Sequence, residues 1–411
     1  MQLSILLYEI GKWSGLIGFV FLSLLIFSGD TARYWDRFFG LDRIIKFQRK
    51  FSFYITVFII LHPLFFILAN SGKNISGFLI PDFSLPYLAF GICAFYVFIG
   101  IMIASKIYKR ISYQIWQYIH IITYILVFGV LIHAIKWGSD VDDFVFLYIV
   151  ITIGLIIGIV YRTQYKIRRL YSGKFIVKSI KEETKDTFTI IVIPEKAFKF
   201  KAGQFCFLRL NKNKLYARHP FTISSAPYEK EISFTIKLAG RFTETAKELK
   251  AGDEILVDGP FGKFIPKIGM NNIETDIAVK DLVFIAGGVG IAPFMSILKD
   301  IQKNKENKQK IPNIILFYGS QTEEDIIFRK ELDAINEGWF KKVYILDNGE
   351  KSNTLFEYGY ITKDIIKKYV RNINNSLYYI CGPEIMKDST KKILAELGVK
   401  NKNILIEDFF W

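Results

Sequence analysis

The sequence holds four histidines, and three of them, His62, His120 and His133, fall in its apolar first half. A histidine inside a bilayer is costly and marks a candidate functional site. Imidazoles on facing helices are the axial ligands of b-type haem, a one-electron carrier. The alternative for any one of them is an interhelical hydrogen bond, which Ser, Thr or Asn would make as well. His120 and His133 are 13 residues apart, about 20 Å along a helix, which suits one haem near each leaflet. Thirteen residues also turn an ideal helix about 220° beyond whole turns, so both reach one bundle core only if the helix is over- or underwound, as by a π-bulge. In the second half, the turn Gly287-Gly288-Val289-Gly290 lies between two apolar runs. Such a turn lets a backbone approach phosphate at a helix N-terminus, although a tight turn needs glycine for its own sake. Cys381-Gly382-Pro383 closes a later apolar run. A lone cysteine there reads equally as a small buried hydrophobe.

The elements that must carry these residues divide the chain. At 411 residues there is room for two or three domains, and 51% hydrophobic with 23% charged residues excludes disorder. Five segments, 5–28, 48–70, 86–105, 113–136 and 143–162, are long and apolar enough to span a bilayer. The first has Lys12 ahead of an apolar run, but no small-x-small site follows, so a retained helix is expected rather than a signal peptide. Arg33, Arg37, Arg43, Lys46, Arg49 and Lys50 follow the first segment, and Lys106, Lys109 and Arg110 the third. Arg162, Lys166, Arg168 and Arg169 follow the fifth, while the alternate loops hold one Lys and no Arg. The positive-inside rule then puts the N-terminus outside and everything after 165 in the cytoplasm. It also accounts for much of the +15 net charge with membrane lipid and no nucleic acid. Cys93, Cys206 and Cys381 are too far apart for a metal pair or disulfide framework.

Beyond the membrane half, 174–180, 188–193, 204–209, 231–238 and 254–257 read as short strands punctuated by Gly and Pro, a small antiparallel barrel. After a polar stretch at 266–280, strands at 281–286, 313–318, 342–346 and 377–380 alternate with helical patterns such as 292–301. That alternation implies a parallel α/β sheet, with ligands at its carboxyl edge.

His219-Pro220-Phe221-Thr222 with Ser224-Ser225, Gly240 with Thr243, Gly259-Pro260-Phe261-Gly262, the Gly287–Ile291 turn with Pro293, and Cys381-Gly382-Pro383 with Met386 occur in that order. This order resembles the ferredoxin–NADP reductase-type FAD/NAD module. Behind a histidine-bearing membrane bundle it resembles the ferric reductase and NADPH oxidase superfamily, over nearly the whole chain. The resemblance implies a membrane α-helical bundle (1–165), a cytoplasmic antiparallel β-barrel for FAD (171–265) and a parallel-sheet α/β domain for NADH or NADPH (279–411). It implies that His219 meets the FAD phosphate or ribityl, that Pro220, Ser224 and Gly240 belong to the flavin site, that Phe221 flanks the isoalloxazine and that Thr222 bonds near flavin N5. Lys237 and Thr243 are expected at the pyrophosphate, and Gly287, Gly288, Gly290 and Pro293 at the dinucleotide. Cys381, with Gly382, Pro383 and Met386, is expected by the nicotinamide. Phe409, with Trp411 as rival, is expected to cover the flavin.

Two positions depart from the family pattern. Gln321 stands where an Arg often reads the 2′-phosphate of NADPH, and a neutral amide leans the chain toward NADH. Family members commonly carry four haem histidines; here His62 fits the outer partner of His133, but the residue 14 before it is Gln48. Three arrangements stay open: a five-coordinate inner haem on His120, weak or water-mediated ligation by Gln48, or a single haem. Two haem positions with an abnormal inner one are expected, because losing the inner haem would lengthen the electron path by about 20 Å. Arg49, Lys50 and Arg110 could pair with haem propionates or serve only as positive-inside charges. The implied enzyme is an NAD(P)H oxidase or ferric-chelate reductase type, with oxygen or a ferric chelate as external acceptor. A membrane flavin reductase with one haem or none, acting on quinone or a protein, is the alternative.

Overall fold

The computed structural model describes residues 2–71, 75–107, 113–139, 141–210, 218–266, 281–304, 311–348 and 354–408. Arg110, Phe409, Trp411 and the side chain of His120 lie outside the described residues. The chain divides into two compact units, Met1–Arg168 and Arg169–Trp411.

The first unit is helical: α1 (Gln2–Asp30), α2 (Ala32–Phe39), α3 (Leu41–Ala69), α4 (Ile75–Leu79), α5 (Pro86–Lys106), α6 (Tyr113–Trp137) and α7 (Val141–Ser172). Among the described residues, four helices are long and apolar enough to cross a membrane, Gln2–Asp30, Leu41–Ala69, Pro86–Lys106 and Val141–Arg168, with a shorter apolar stretch at Ile121–Trp137. Large exposed apolar side chains such as Phe53, Ile125 and Phe146 suit a lipid-facing surface. Small residues allow the close helix contacts. A Cβ at Gly11 would stand 3.2 Å from Phe65, and one at Gly18 3.2 Å from Ile59, so α1 lies tightly on α3. The basic stretch after α1 forms the amphipathic α2, where Arg37 packs over Tyr34 and Phe38 and Asp36 accepts the Leu41 N–H at 2.7 Å. The structure corrects the π-bulge considered for His120 and His133: α6 is α-helical from Tyr113 to Trp137 without a π turn.

The second unit begins with an antiparallel six-stranded sheet: β1 (Lys174–Thr184), β2 (Thr187–Pro194), β3 (Phe205–Leu210), β4 (His219–Thr222), β5 (Ile232–Lys237) and β6 (Glu254–Phe261), ordered β4-β3-β6-β1-β2-β5. Alternation turns Phe188, Ile190, Val192, Phe234 and Ile236 into its core. The short α8 (Arg241–Lys247) follows β5. Next comes a parallel sheet of β7 (Asp281–Gly287), β8 (Asn313–Ser320), β9 (Phe340–Leu346), β10 (Phe356–Tyr358), β11 (Ser376–Cys381) and β12 (Ile404–Ile406), ordered β10-β9-β8-β7-β11-β12. Helices α9 (Ala292–Asn304), α10 (Arg329–Ala334), α11 (Lys363–Tyr369) and α12 (Glu384–Glu396) connect its strands. Phe264 joins the two sheets by packing on Phe294 and Tyr379, with ring centres 5.5 and 5.3 Å away.

Three strands escape the sequence reading. His219–Thr222 is a strand, held by pairing Leu208 with His219 and Cys206 with Phe221. Phe356–Tyr358 and Ile404–Ile406 are edge strands of three residues. Segments so short show no periodicity of their own and are strands only because a neighbour pairs with them.

Candidate functional site

In the helical unit, α3 and α6 bring His62 and His133 together, with ring centres 6.3 Å apart and planes nearly perpendicular at 86°. His62 Nδ1 lies 2.9 Å from the Gly11 carbonyl, and His133 Nδ1 2.8 Å from the Tyr87 carbonyl. A carbonyl only accepts, so each Nδ1 donates and each Nε2 carries the lone pair that a metal needs. A metal–imidazole bond is about 2.0 Å and the ring centre lies about 1.1 Å behind the bonding nitrogen, so two imidazoles on one iron have centres about 6 Å apart. The observed ring separation is of the size that a bis-imidazole haem requires. Each ring also occupies a notch made by a glycine. A Cβ on Gly15 would stand 2.3 Å from His62 Nδ1, and one on Gly91 2.5 Å from His133 Nδ1. The sequence reading paired these histidines but did not find the glycines, whose role appears only across helices. Among the described residues no group of three or more His, Cys, Asp and Glu could hold a metal ion. A haem needs only two protein ligands, since its macrocycle supplies the rest.

Toward the other end of the same helices, Gln48 Nε2 donates to Ser28 Oγ at 3.0 Å. Asp30, Tyr124 and Arg162 join α1, α6 and α7 there. Asp30 Oδ1 accepts from Tyr124 Oη at 2.5 Å and Arg162 Nη1 at 2.9 Å, and Arg162 Nη1 reaches Tyr124 Oη at 2.6 Å. Burying a carboxylate in a bundle demands such a partner. Sequence reading counted Arg162 only as a flanking positive charge.

In the barrel, β4 sets His219, Pro220, Phe221 and Thr222 at one edge. The His219 ring packs on Phe242 with centres 4.1 Å apart, and Phe221 stacks on the same ring at 5.8 Å and 19°. Phe242, on α8, was not foreseen. Burial lowers the His219 pKa, so at neutral pH it offers an uncharged N–H. Thr222 is buried at the end of β4. The Ser224 hydroxyl is buried, donating to the Ser233 carbonyl at 3.1 Å and accepting from Thr235 at 2.9 Å. Lys237 pairs with Asp186 at 3.0 Å on the surface. Thr243 Oγ1 ties the turn before α8 by accepting the Ala239 N–H and donating to the Gly240 carbonyl, both at 2.8 Å. Gly240 has φ +119 and open space where a Cβ would point, a shape that admits a ligand.

The parallel sheet brings the two glycine motifs together. Cys381 pairs with Ala286 in register, so the turns after β7 and β11 meet at the carboxyl edge. A Cβ on Gly290 would stand 2.3 Å from the Cys381 carbonyl oxygen, and one on Gly287 2.7 Å from Met386 Sδ and 2.9 Å from Pro383 Cδ. A Cβ on Gly382 would likewise lie 2.6 Å from Met386 Cε. Gly288 has φ +51 and nothing within 4 Å of its Cβ position, an open cradle ahead of α9, where Pro293 sits in the first turn. Burial drives the Cys381 thiol well above its ordinary pKa, with Glu407 adding to the rise, so it is a neutral group and not a thiolate. Gln321 is exposed after β8, and the following Arg329 is held by Glu323 and Asp333, each at 2.9 Å. Lys387 binds Glu384 at 2.7 Å and also Asp408, fastening the closing segment to α12.

Two polar anchors were missed because their partners are remote in sequence. Ser296 Oγ on α9 donates to the Ser225 carbonyl at 2.6 Å, joining the dinucleotide helix to the barrel. Tyr318 Oη, fully buried on β8, donates to the Gly288 carbonyl at 3.1 Å and accepts the Ile327 N–H at 3.0 Å. Tyr318→Phe leaves both backbone groups unsatisfied, at about 1–3 kcal/mol. The expected result is a raised KM for NADH with unchanged FAD content, measured by steady-state kinetics and flavin absorbance; an unchanged KM would remove Tyr318 from the cradle.

Three family descriptions match in order: "Ferric reductase like transmembrane component" over residues 10–131, "FAD-binding domain" over 173–264, and "Oxidoreductase NAD-binding domain" over 284–392. The chain is 32% identical over 176 residues to one subunit of the Na(+)-translocating NADH-quinone reductase of Haemophilus influenzae (strain PittGG), covering 41% of this chain and 40% of the relative. It is 31% identical over 176 residues to the protein of the same name from Pasteurella multocida, with the same shares. The chain thus spans about 40% of the length of these relatives. The cytochrome b5 reductase domain of Ulva prolifera nitrate reductase shares the fold, with TM-score 0.51, 20% identity, 58% of this chain and 98% of that one covered. The chain is a ferric reductase-like transmembrane domain fused to FAD-binding and NAD-binding domains of the ferredoxin–NADP reductase type.

Proposed function

We propose that the protein is a transmembrane flavocytochrome b that carries electrons from cytoplasmic NAD(P)H to an acceptor on the far side of the membrane. The observation that carries this reading is the His62–His133 pair, with both Nδ1 atoms held by carbonyls and both rings in glycine notches. When bound, FAD supplies the conversion of a hydride into single electrons, and haem b supplies the relay through the bilayer. The protein's residues bind and orient. Gly287, Gly288 and Gly290 receive the dinucleotide phosphates, and Cys381, Gly382, Pro383 and Met386 flank the nicotinamide. His219, Pro220 and Phe221 hold the flavin and Thr222 faces its N5, while Gly240, Lys237 and Thr243 lie toward its pyrophosphate. Phe409 or Trp411 covers its ring. No protein acid or base is required for hydride transfer. Positive residues flanking the spans support an outside N-terminus, and family matches over 10–131, 173–264 and 284–392 support domain limits of 1–165, 171–265 and 279–411. Oxygen, giving superoxide, and ferric chelates are the candidate acceptors.

The test is anaerobic addition of NADH to detergent-purified protein loaded with haem and FAD. Flavin bleaching followed by reduced haem b bands is the expected result. Flavin bleaching without haem reduction would transfer the reading to a membrane flavin reductase acting on quinone, for which the similarity to NADH-quinone reductase proteins is the support. NADH is expected to be preferred over NADPH, because Gln321 is neutral and Arg329 is engaged by carboxylates. Gln321→Arg is expected to raise kcat/KM for NADPH roughly 10- to 100-fold, since a charge-assisted hydrogen bond contributes about 1.5–3 kcal/mol. An unaltered NADPH/NADH ratio would place the 2′-phosphate elsewhere.

A further inference from the structure

The flavin strand and the dinucleotide turn of the second unit belong to different sheets, so a contact between the sheets must fix their separation. Ser296 lies on α9, six residues beyond Gly290. Ser225 lies three residues beyond Thr222, the last residue of β4. Both serines are fully buried. A serine within a helix commonly turns its hydroxyl back on the carbonyl four residues earlier. Ser296 directs its single hydroxyl proton across the sheets, to the Ser225 carbonyl at 2.6 Å.

Both ends of this bond are anchored. Ser225 Oγ accepts the Ser233 N–H at 3.0 Å, and the Ile223 N–H donates to the Gln204 carbonyl at 3.0 Å, so the chain leaving β4 is fastened on two sides. Ahead of α9, Gly290 is pressed on the end of β11, its Cβ position 2.3 Å from the Cys381 oxygen. One turn beyond Ser296, Lys299 pairs with Glu229 at 3.7 Å, and Glu229 accepts the Ala226 N–H at 2.9 Å. The same face of α9 therefore meets the 225–229 turn twice. The Lys299–Glu229 pair is partly exposed, and such pairs contribute little. Phe264, packed on Phe294 and Tyr379, holds the sheets together, but apolar contact is non-directional and permits sliding. The buried hydroxyl is the contact with a direction.

We propose that Ser296 is a positioning residue for hydride transfer, its bond to the Ser225 carbonyl setting the distance between the nicotinamide and the flavin. This rests on the reading above that NADH reduces the flavin. In that step a C–H bond of the nicotinamide breaks and an N–H bond at flavin N5 forms, the hydride carrying both electrons, so that NADH is oxidised and FAD reduced. The reacting atoms must approach to about 3–3.5 Å, and a misplacement of about 1 Å can cost about 100-fold. Each cofactor binds its own segment without that alignment. Loss of the bond therefore acts on the limiting rate and not on affinity.

The test uses the full chain in detergent, loaded with FAD. In Ser296→Ala the limiting rate of flavin bleaching by NADH is expected to fall about 10- to 100-fold, with FAD content and the Kd for NADH within about twofold of wild type. Hydrogen exchange before NADH is added is expected to quicken at 222–229, a readout independent of turnover. If the alanine variant does not accumulate, Ser296→Cys, which fills the site with a weak donor, is expected to act alike. An unchanged limiting rate, a weakened Kd that accounts for the loss, departure of FAD, or unaltered exchange at 222–229 would each overturn the proposal while leaving flavin reduction by NADH in place. A wild-type flavin that NADH does not bleach would strike the hydride-transfer reading and this role with it.

Discussion

His133→Ala is expected to remove one haem b per FAD and to lower NADH-driven electron flow across the membrane more than 100-fold, because loss of a mere supporting partner of a metal ligand already costs about 10–100-fold. Flavin absorbance and its bleaching by NADH should persist, since the barrel and parallel sheet have cores of their own. Gly91→Val offers an independent route to the same spectrum. Its Cβ would fall 2.5 Å from His133 Nδ1 and 2.6 Å from Cε1, so the ring must leave its notch. Reduced-minus-oxidised spectra and haem-to-FAD ratios read both variants. An unaltered haem spectrum in His133→Ala would exclude the His62–His133 pair as ligands. Loss of flavin bleaching as well would show that the two units do not act separately.

The second large effect is expected at the dinucleotide turn. A Cβ on Gly290 would lie 2.3 Å from the Cys381 oxygen, 2.6 Å from its carbonyl carbon and 2.8 Å from the Gly382 nitrogen. These are backbone atoms at the end of a central strand and cannot rotate aside. Gly290→Ala must push the turn after β7 away from the end of β11, costing about 1–3 kcal/mol as overpacking, and should reduce flavin reduction by NADH at least 100-fold while FAD remains bound. Gly288→Ala is the contrast. Nothing lies within 4 Å of its Cβ position, and the cost is the φ of +51, about 1–2 kcal/mol. Its defect should appear mainly as a raised KM for NADH. Stopped-flow flavin bleaching with thermal denaturation separates the cases. A Gly290→Ala protein with normal stability and hydride transfer would refute the close approach of the two turns.

Much of the architecture was legible from local pattern. Long apolar runs read as spans, and strand–helix alternation after residue 281 reads as a parallel sheet, which the structure has. The order of the His219–Thr222, Gly287–Ile291 and Cys381–Pro383 motifs was enough to expect flavin and nicotinamide chemistry. His219–Thr222 itself was less clear, because four residues become a strand only when β3 lies alongside.

What the sequence by itself determined is which residues are available: three histidines in a membrane half, a glutamine in place of a fourth, and glycine turns at strand ends. Tertiary structure decided what each meets. It set His62 against His133, cut notches for them at Gly15 and Gly91, locked Gly288 with Tyr318, and bonded the Ser224 hydroxyl to Thr235. Periodicity reports which face of an element is buried, but not which atom of a distant element stands opposite. That is settled only when helices and strands far apart in sequence come within a hydrogen bond of one another.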